Sequence, residues 1–168
     1  MKRFLYIVLF VIVASLSNSC GIYSFTGANT GNAENFQVNF FQNTAAIIEP
    51  GIDQQFTNRL QDLILQQTNL ALTNQNGDLI YEGEITRYYI SPISATADNT
   101  AAQNRLTVAV NCRFFNRLDD TSDFEKSFSF YFDFPANQQL IGATLDEALD
   151  EVFTRITQDI FNESLANW

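Results

Sequence analysis

The chain has 168 residues and a formal net charge of −10, with 19 acidic residues against nine basic ones and no histidine. A surface this acidic argues against general binding to nucleic acid and gives no broad electrostatic attraction to anionic lipid. Without histidine, the usual general base, triad partner and imidazole metal ligand are all missing.

The first 19 residues have the layout of an export signal. A basic pair, Lys2-Arg3, precedes an apolar run over residues 4–14 that is too short for a designed membrane span. Small residues then lead to Cys20, and no A-x-A-like cleavage site is present. We therefore predict a lipoprotein signal over residues 1–19 with an acylated Cys20 thiol; a soluble export signal with an incidental cysteine is the alternative.

Cleavage before Cys20 would change the net charge from −10 to −12, since the signal carries two basic residues and no acids. Residues 20–35 are rich in Gly, Asn, Ser and Thr and are predicted to form a lipidated tether. Residues 36–168 have the length of a single domain with one core. Acyl chains would hold this domain on a membrane, contributing ~0.8 kcal/mol per buried CH₂.

Hydrophobic patterning in the first half of the domain predicts a strand, a helix and a hairpin. The segment "NFQVNFF" alternates, which places Phe36, Val38 and Phe40 inward. After Pro50, apolar residues recur every three or four positions, as in a helix with one buried face: Ile52, Phe56, Leu60, Leu63 and Ile64. A short strand, Leu70 to Thr73, is predicted to turn through Asn76-Gly77 and to pair with a strand from Leu79, the glycine supplying a positive φ.

Two long strands are predicted after a loop over "SPISATADNTAAQ". In "NRLTVAVNCRFFNR", Cys112 falls on the apolar face and is interpreted as a buried small residue, not a reactive thiol. In "FEKSFSFYFDF", phenylalanines form one face, interrupted by Lys126, and polar residues with Tyr131 form the other. Such alternation is typical of a sheet with one covered and one open face.

The last predicted element is a helix that begins near Leu145. Thr144 and Glu147 have the spacing of a capping box, and acids in the first turns favour the positive end of the helix dipole. The apolar stripe comprises Leu145, Leu149, Val152, Phe153, Ile156, Ile160 and Phe161. Together these elements predict an α+β fold, a two-layer sandwich with two amphipathic helices packed on one face of a four- to five-stranded mixed or antiparallel sheet.

No segment has the pattern of a catalytic or cofactor site. A phosphate-binding glycine loop and a GxSxG turn are both missing from the sequence. The acidic segment "DDTSDFE" fails as a calcium loop, because Phe124 and Phe130 occupy the positions that need glycine and glutamate. We therefore predict a protein that is not an enzyme and needs neither metal nor cofactor. Aromatic residues outside the predicted core favour a binding role instead: Tyr23, Phe25, Phe41, Tyr88, Tyr89, Phe115, Tyr131 and Trp168.

The sequence resembles the LptE family of lipopolysaccharide-assembly lipoproteins, in its Bacteroidetes form. The resemblance rests on "CGIYSFTG", "QTNLALTNQNGDLIYEGEITRYYISPI", "AAQNRLTVAVNCRFFN", "FEKSFSFYFDF" and "DIFNESLANW". It implies an outer-membrane lipoprotein on the periplasmic side. Such a protein acts as plug and assembly partner of the LptD β-barrel in lipopolysaccharide transport to the outer leaflet.

The resemblance leaves direct lipopolysaccharide contact open, because no basic family motif can be matched to this acidic chain. Contact with ligand or partner would fall to Tyr131 and to the arginines, provided that they cluster: Arg87, Arg105, Arg113 and Arg117. One alternative is a free-standing periplasmic lipoprotein that binds a small amphiphile between sheet and helices. A hydrolase with two converging carboxylates is another, but the sequence gives no sign of such a pair.

Overall fold

The computed structural model describes residues 28–93 and 103–166. The predicted signal, the Cys20 attachment point, most of the predicted tether and Trp168 lie outside the described residues. In chain order the elements are β1 (Asn35–Val38), β2 (Gln42–Asn43), α1 (Ile52–Gln67), β3 (Ala71–Leu72), β4 (Leu79–Ile93), β5 (Gln103–Asn116), a 3₁₀ turn (Asp120–Ser122), β6 (Phe124–Pro135) and α2 (Ala143–Leu165).

The strands form one six-stranded mixed sheet in the order β3-β1-β4-β5-β6, with β2 also paired to β4. β1 and β2 run parallel to β4, whereas β5 is antiparallel to both β4 and β6. Both helices pack against one face of this sheet, which confirms the predicted α+β sandwich. The sheet has one strand more than the four or five predicted, because β2, which contains only two residues, was not predicted, whereas β3 lies within the predicted strand Leu70 to Thr73.

The predicted hairpin at Asn76-Gly77 is wrong, because β3 does not pair with β4. β1 lies between them and runs parallel to both, with Asn35 opposite Ala71 and Phe36 opposite Leu79. In this turn the residue with positive φ is Asn76, at 54°, and not Gly77 as predicted.

Side-chain hydrogen bonds hold β1 in this position. The Asp78 carboxylate accepts hydrogen bonds from the amides of Glu34 and Asn35 at 3.0 and 3.3 Å, and the Asn35 side chain accepts one from the Asp78 amide at 2.9 Å. Gly77 permits the close approach, since a Cβ there would lie 2.7 Å from Cβ of Gln37. These contacts place β1 where a hairpin partner would otherwise lie.

The predicted strand "NFQVNFF" ends early, which reverses two of its aromatic residues. β1 stops at Val38, so Phe40 is 52% exposed whereas Phe41 is fully buried. The Phe41 amide donates to Oγ1 of Thr57 in α1 at 3.1 Å, and its ring packs edge-on against Phe56 at 5.1 Å. Phe41, predicted to be a surface aromatic, is therefore a core residue.

A bulge in β4 determines which of its side chains reach the core. The pairing of β4 with β5 shifts between Ile85 and Arg87, so Thr86 is an extra residue. After this point the odd-numbered residues turn away from the helices, and Tyr88 is buried instead of exposed as predicted. β4 also continues through Pro92, so the loop begins later than predicted, and its central part lies outside the described residues.

Helix α2 begins without the predicted capping box. Its N-cap residue is Gly142 and no side chain caps it; Oγ1 of Thr144 instead accepts a hydrogen bond from the Gln138 side chain at 2.6 Å. The predicted apolar stripe does face the sheet, with all of its members buried except Leu145, which is partly buried. The hydrophobic periodicity therefore predicts the buried face of α2 correctly, whereas the predicted capping box is wrong.

The close approach of β4 to β5 at Gly83 provides a test of this packing. A Cβ at Gly83 would lie 2.0 Å from the Asn111 carbonyl oxygen and 2.7 Å from the Phe41 ring. We expect Gly83→Ala to lower the free energy of unfolding by about 3 kcal/mol, the upper end for overpacked cores, because backbone must move. Urea denaturation measures the change. The exposed control Ser127→Ala should stay within about 0.5 kcal/mol, and equal effects of the two substitutions would contradict the packing.

Candidate interaction site on the open sheet face

The helices leave one face of β4, β5 and β6 uncovered, and we call this the open face. Register places directly paired residues on the same side of the sheet, which defines the membership of the face. It comprises Glu82, Glu84, Arg87, Tyr89, Ser91, Arg105, Thr107, Ala109, Asn111, Arg113, Glu125, Ser127, Ser129, Tyr131 and Asp133. Three of the four arginines singled out from the sequence, and Tyr131, therefore share this surface.

Arg113 lies in a row of three charged residues near one end of the open face. It pairs with Glu82 on one side and Glu125 on the other, at 3.0 and 4.0 Å between nitrogen and oxygen. The hydrogen bond to Glu82 raises the pKa of Arg113 above its usual value. The Glu82 carboxylate also accepts a hydrogen bond from the Asn39 side chain at 3.2 Å. The positive charge here is thus neutralised locally.

Arg105 occupies the other end of the open face and makes the better-formed ion pair. Its guanidinium donates two hydrogen bonds to the Asp133 carboxylate, at 2.7 and 2.8 Å. The bonds to Arg105 hold the pKa of Asp133 below its usual range. The same guanidinium lies 3.6 Å from the centre of the Tyr131 ring, within cation–π distance. Arg105 is therefore fixed by two neighbours on β6.

The rings of Phe130 and Tyr131 are stacked, with centres 5.5 Å apart and planes 13° from parallel. Successive residues of a strand point to opposite faces, so these rings meet around the outer edge of β6. Arg155 of α2 lies 5.6 Å from the Phe130 ring. We call the resulting series Arg105–Tyr131–Phe130–Arg155 the edge stack; it runs from the open face around β6 to the helix layer.

The centre of the open face carries hydroxyl and aromatic groups. Tyr89 and Tyr131 flank Thr107 on one row, and the two tyrosines are 53% and 45% exposed. Arg87, in the next row toward Arg113, forms no ion pair with any residue that the structure describes. A partner here would meet hydrogen-bonding groups and ring faces with little net charge.

The arginines do not converge. Arg113, Arg87 and Arg105 lie on rows four residues apart, which corresponds to spacings of ~13 Å along the strands. Arg117 lies beyond the end of β5, where its amide donates to the Asp78 carbonyl at 2.9 Å. The condition for a concentrated cationic site is therefore not met.

The nucleophilic groups near the sheet are buried and inert. Burial raises the pKa of the Cys112 thiol to about 12, and Cys112 is fully inaccessible. Burial also raises the pKa of Tyr81, whose hydroxyl lies 2.9 Å from that of Ser164. Within residues 28–93 and 103–166, no group of three acidic or cysteine side chains is arranged to hold a metal ion. The Asp119 carboxylate is engaged by the Thr121 amide and hydroxyl.

The space between sheet and helices is filled by side chains. Phe56 packs edge-on against Phe41 and Phe153, at 5.1 and 5.3 Å, and all three rings are buried. Cavities lie instead at the periphery, such as one of about 310 Å³ lined by residues 29–32 and by the end of α2. This packing does not favour the alternative of an amphiphile held inside the sandwich.

Two helices on one side of a mixed six-stranded sheet, with the other side uncovered and two of its three arginines paired with carboxylates, define a two-layer α+β domain. The family model for LptE, lipopolysaccharide-assembly, matches residues 33–164, which is more than half of the chain. The chain belongs to the LptE family. No curated protein sequence matches it significantly.

Solved structures share the fold at low sequence identity. A hypothetical protein, CT253, from Chlamydia trachomatis superposes with a TM-score of 0.52 and 8% identity, over 80% of this chain and 99% of its own. Protein XCC0632 from Xanthomonas campestris gives 0.52 and 11%, over 80% and 84%. The PelC dodecamer from Paraburkholderia phytofirmans gives 0.51 and 9%, over 83% and 93%. Within residues 28–93 and 103–166, neither helix has the hydropathy of a membrane-spanning segment.

The burial of Cys112 predicts that its thiol is protected in the folded domain. In a Cys20→Ala variant, a thiol reagent at neutral pH should label Cys112 only as fast as the domain opens, because the thiolate is both inaccessible and disfavoured. Labelling should become complete in denaturant. Rapid labelling of the folded variant, followed by mass spectrometry, would show that this face of β5 is not packed.

The Arg105–Asp133 pair predicts a pH-dependent contribution to stability. Because the pKa of Asp133 is lowered on folding, its contribution is complete above the unfolded value of ~3.9 and is lost as pH falls through the folded value. Asp133→Asn should cost up to about 1 kcal/mol at pH 7, since both side chains are about one-third exposed. The difference from the wild type should shrink as pH falls below ~3.9 and Asp133 becomes protonated. A constant difference across urea titrations from pH 7 to 2 would contradict this assignment.

Proposed function

We propose that this protein is an outer-membrane lipoprotein, anchored through Cys20 on the periplasmic side, that acts as plug and assembly partner of an LptD-type β-barrel in lipopolysaccharide transport. It performs this role as a non-enzymatic binding protein. Membership of the LptE family across residues 33–164 is the observation that carries the proposal. The side-chain-filled interior and the uncovered sheet face are consistent with it.

The chemistry of the open face suits the lumen of a large barrel, which is polar. Covering an unpaired charge costs several kcal/mol, so a surface to be enclosed needs its charges paired beforehand. Arg105 and Arg113 already have carboxylate partners within the domain, and Arg87 would need a carboxylate from the lumen. The row of Tyr89, Thr107 and Tyr131 between them offers hydroxyls that can exchange hydrogen bonds with polar lumen side chains.

The position of the tether sets the orientation of the domain on the membrane. The Asn29 amide donates to the carbonyl of Leu165 at 2.6 Å, so the chain enters beside the end of α2. From Asn29 back to Cys20 the chain can span at most ~30 Å. The end with Leu165 would then lie nearest the lipid, and the end with Arg105 farthest. Because the arginines do not cluster and two of them are paired with carboxylates, the proposed role does not depend on direct lipopolysaccharide contact.

Purification of the native lipoprotein from outer membranes tests the proposal. A barrel protein several times its size should co-purify, and labelled fatty acid should be incorporated in the wild type but not in Cys20→Ala. Tyr89→Lys, which adds a second positive charge to the open face beside Arg87, itself without an ion-pair partner among the described residues, should weaken co-purification at least about tenfold, a loss of ~1.4 kcal/mol or more. Ser122→Lys adds the same charge on an exposed turn outside the open face and should not.

Genetic depletion gives an independent measurement. Loss of the protein should reduce both the folded barrel and the lipopolysaccharide at the cell surface. A deletion strain with normal levels of both would rule out the proposed role, whatever partners the purified protein retains.

A further inference from the structure

β6 is the outermost strand of the sheet, and among the described residues it pairs only with β5. It is twelve residues long, and every second residue of such a strand directs its amide and carbonyl away from the sheet. A long unpaired edge is a template for another strand, so proteins normally block it or use it. The two halves of β6 differ in whether their outer edge is blocked.

The edge stack blocks one half. The Phe130 and Tyr131 rings meet around the edge, and Arg105 and Arg155 lie against their outer faces. An incoming strand would have to displace both rings and break the Arg105–Tyr131 contact. The polar groups of the backbone at Phe130 and Tyr131 are therefore shielded from strand addition.

The other half borders a groove between β6 and α2, which we call the edge groove. It has an open volume of about 570 Å³ and is lined by Lys126, Ser127, Phe128, Ser129, Asp159, Asn162, Glu163 and Ala166. A free strand edge with a helix alongside is the geometry in which proteins bind extended peptides by strand addition. The strand supplies backbone hydrogen bonds, and the groove receives alternate side chains.

We propose that β6 from Glu125 to Ser129 receives an extended segment of the barrel partner by β-strand addition, with that segment lying in the edge groove. This inference rests on the proposed function. Since a closed barrel has no free strand edges, the added segment must be a loop or a terminal extension of the barrel protein and not one of its barrel strands. The sheet then gains a seventh strand beside the open face.

The lining of the edge groove indicates the composition of the segment. Phe128 is 7% exposed and lies under Lys126, whose Nζ is 5.6 Å from the ring centre and 2.8 Å from the Glu163 carboxylate, so an added segment must displace this exposed ion pair. Asp159 is exposed and forms no ion pair within residues 28–93 and 103–166. The segment should thus place small or apolar side chains over Phe128 and a Lys or Arg opposite Asp159.

Site-resolved hydrogen exchange on the purified complex with the barrel protein tests the inference. The amides between Glu125 and Ser129 that point away from β5 should exchange rapidly in the isolated domain and slow at least about a hundredfold in the complex, because they gain hydrogen-bond partners. The amides of Phe130 and Tyr131 should not change in this alternating manner. The contrast between the two halves of one strand serves as an internal control.

Two substitutions in α2 separate the edge groove from general charge effects. Asp159→Lys reverses a charge inside the groove and should weaken the complex about tenfold, and Asn162→Trp, which fills the groove, should do the same. Glu151→Lys makes the same charge change on an exposed position two turns earlier in α2, outside the groove, and should bind as the wild type does.

The outcomes are distinguishable from those of the proposed function. If the complex forms but β6 exchange is unchanged and Asp159→Lys binds normally, strand addition is wrong and the barrel partnership stands. If no complex forms with any variant or with the wild type, the barrel partnership fails and this inference fails with it. Equal weakening by Asp159→Lys and Glu151→Lys would also overturn the groove as the binding site.

Discussion

The antiparallel ladder between β4 and β5, with its single extra residue at Thr86, is the constraint on which the rest of the molecule depends. If Thr86 were paired regularly instead of forming the bulge, the alternation that buries Ile85 would carry Arg87 and Tyr89 toward the helices and turn Tyr88 outward. The bulge reverses which residues in the second half of β4 point toward the helices. Both halves of a long strand can therefore contribute apolar groups to one core and polar groups to one open face.

Local patterning was enough to predict the parts of the fold whose environment is set by their own sequence. The stripes of the two helices and the alternation of β5 and β6 each have one covered side, so their period survives in the sequence. The hairpin failed because its outcome is decided by contacts between Asp78 and Asn35, 43 positions apart. A one-residue bulge such as that at Thr86 has no recognisable signal in the composition, so the burial of Tyr88 could not be predicted from the sequence either.

The candidate site was predictable to a similar degree. Alternation placed Arg105, Arg113 and Tyr131 on a common polar face, but the pairing of the arginines with Asp133 and Glu82 depends on register between strands, which the sequence does not reveal. The edge stack was missed for another reason. Phe130 and Tyr131 point to opposite faces in any strand, and only the position of β6 at the edge lets their rings meet.

The entry of the chain beside α2 determines how mechanical load from an acylated Cys20 would reach the domain. Tension on the chain passes first to the hydrogen bond between Asn29 and Leu165 and then to β1. Because β1 lies between two parallel neighbours, a load along its axis would strain its hydrogen bonds to β3 and β4 together in shear instead of one at a time. If Cys20 is acylated as proposed, the four residues of β1 would therefore resist a pull from the lipid anchor as a unit.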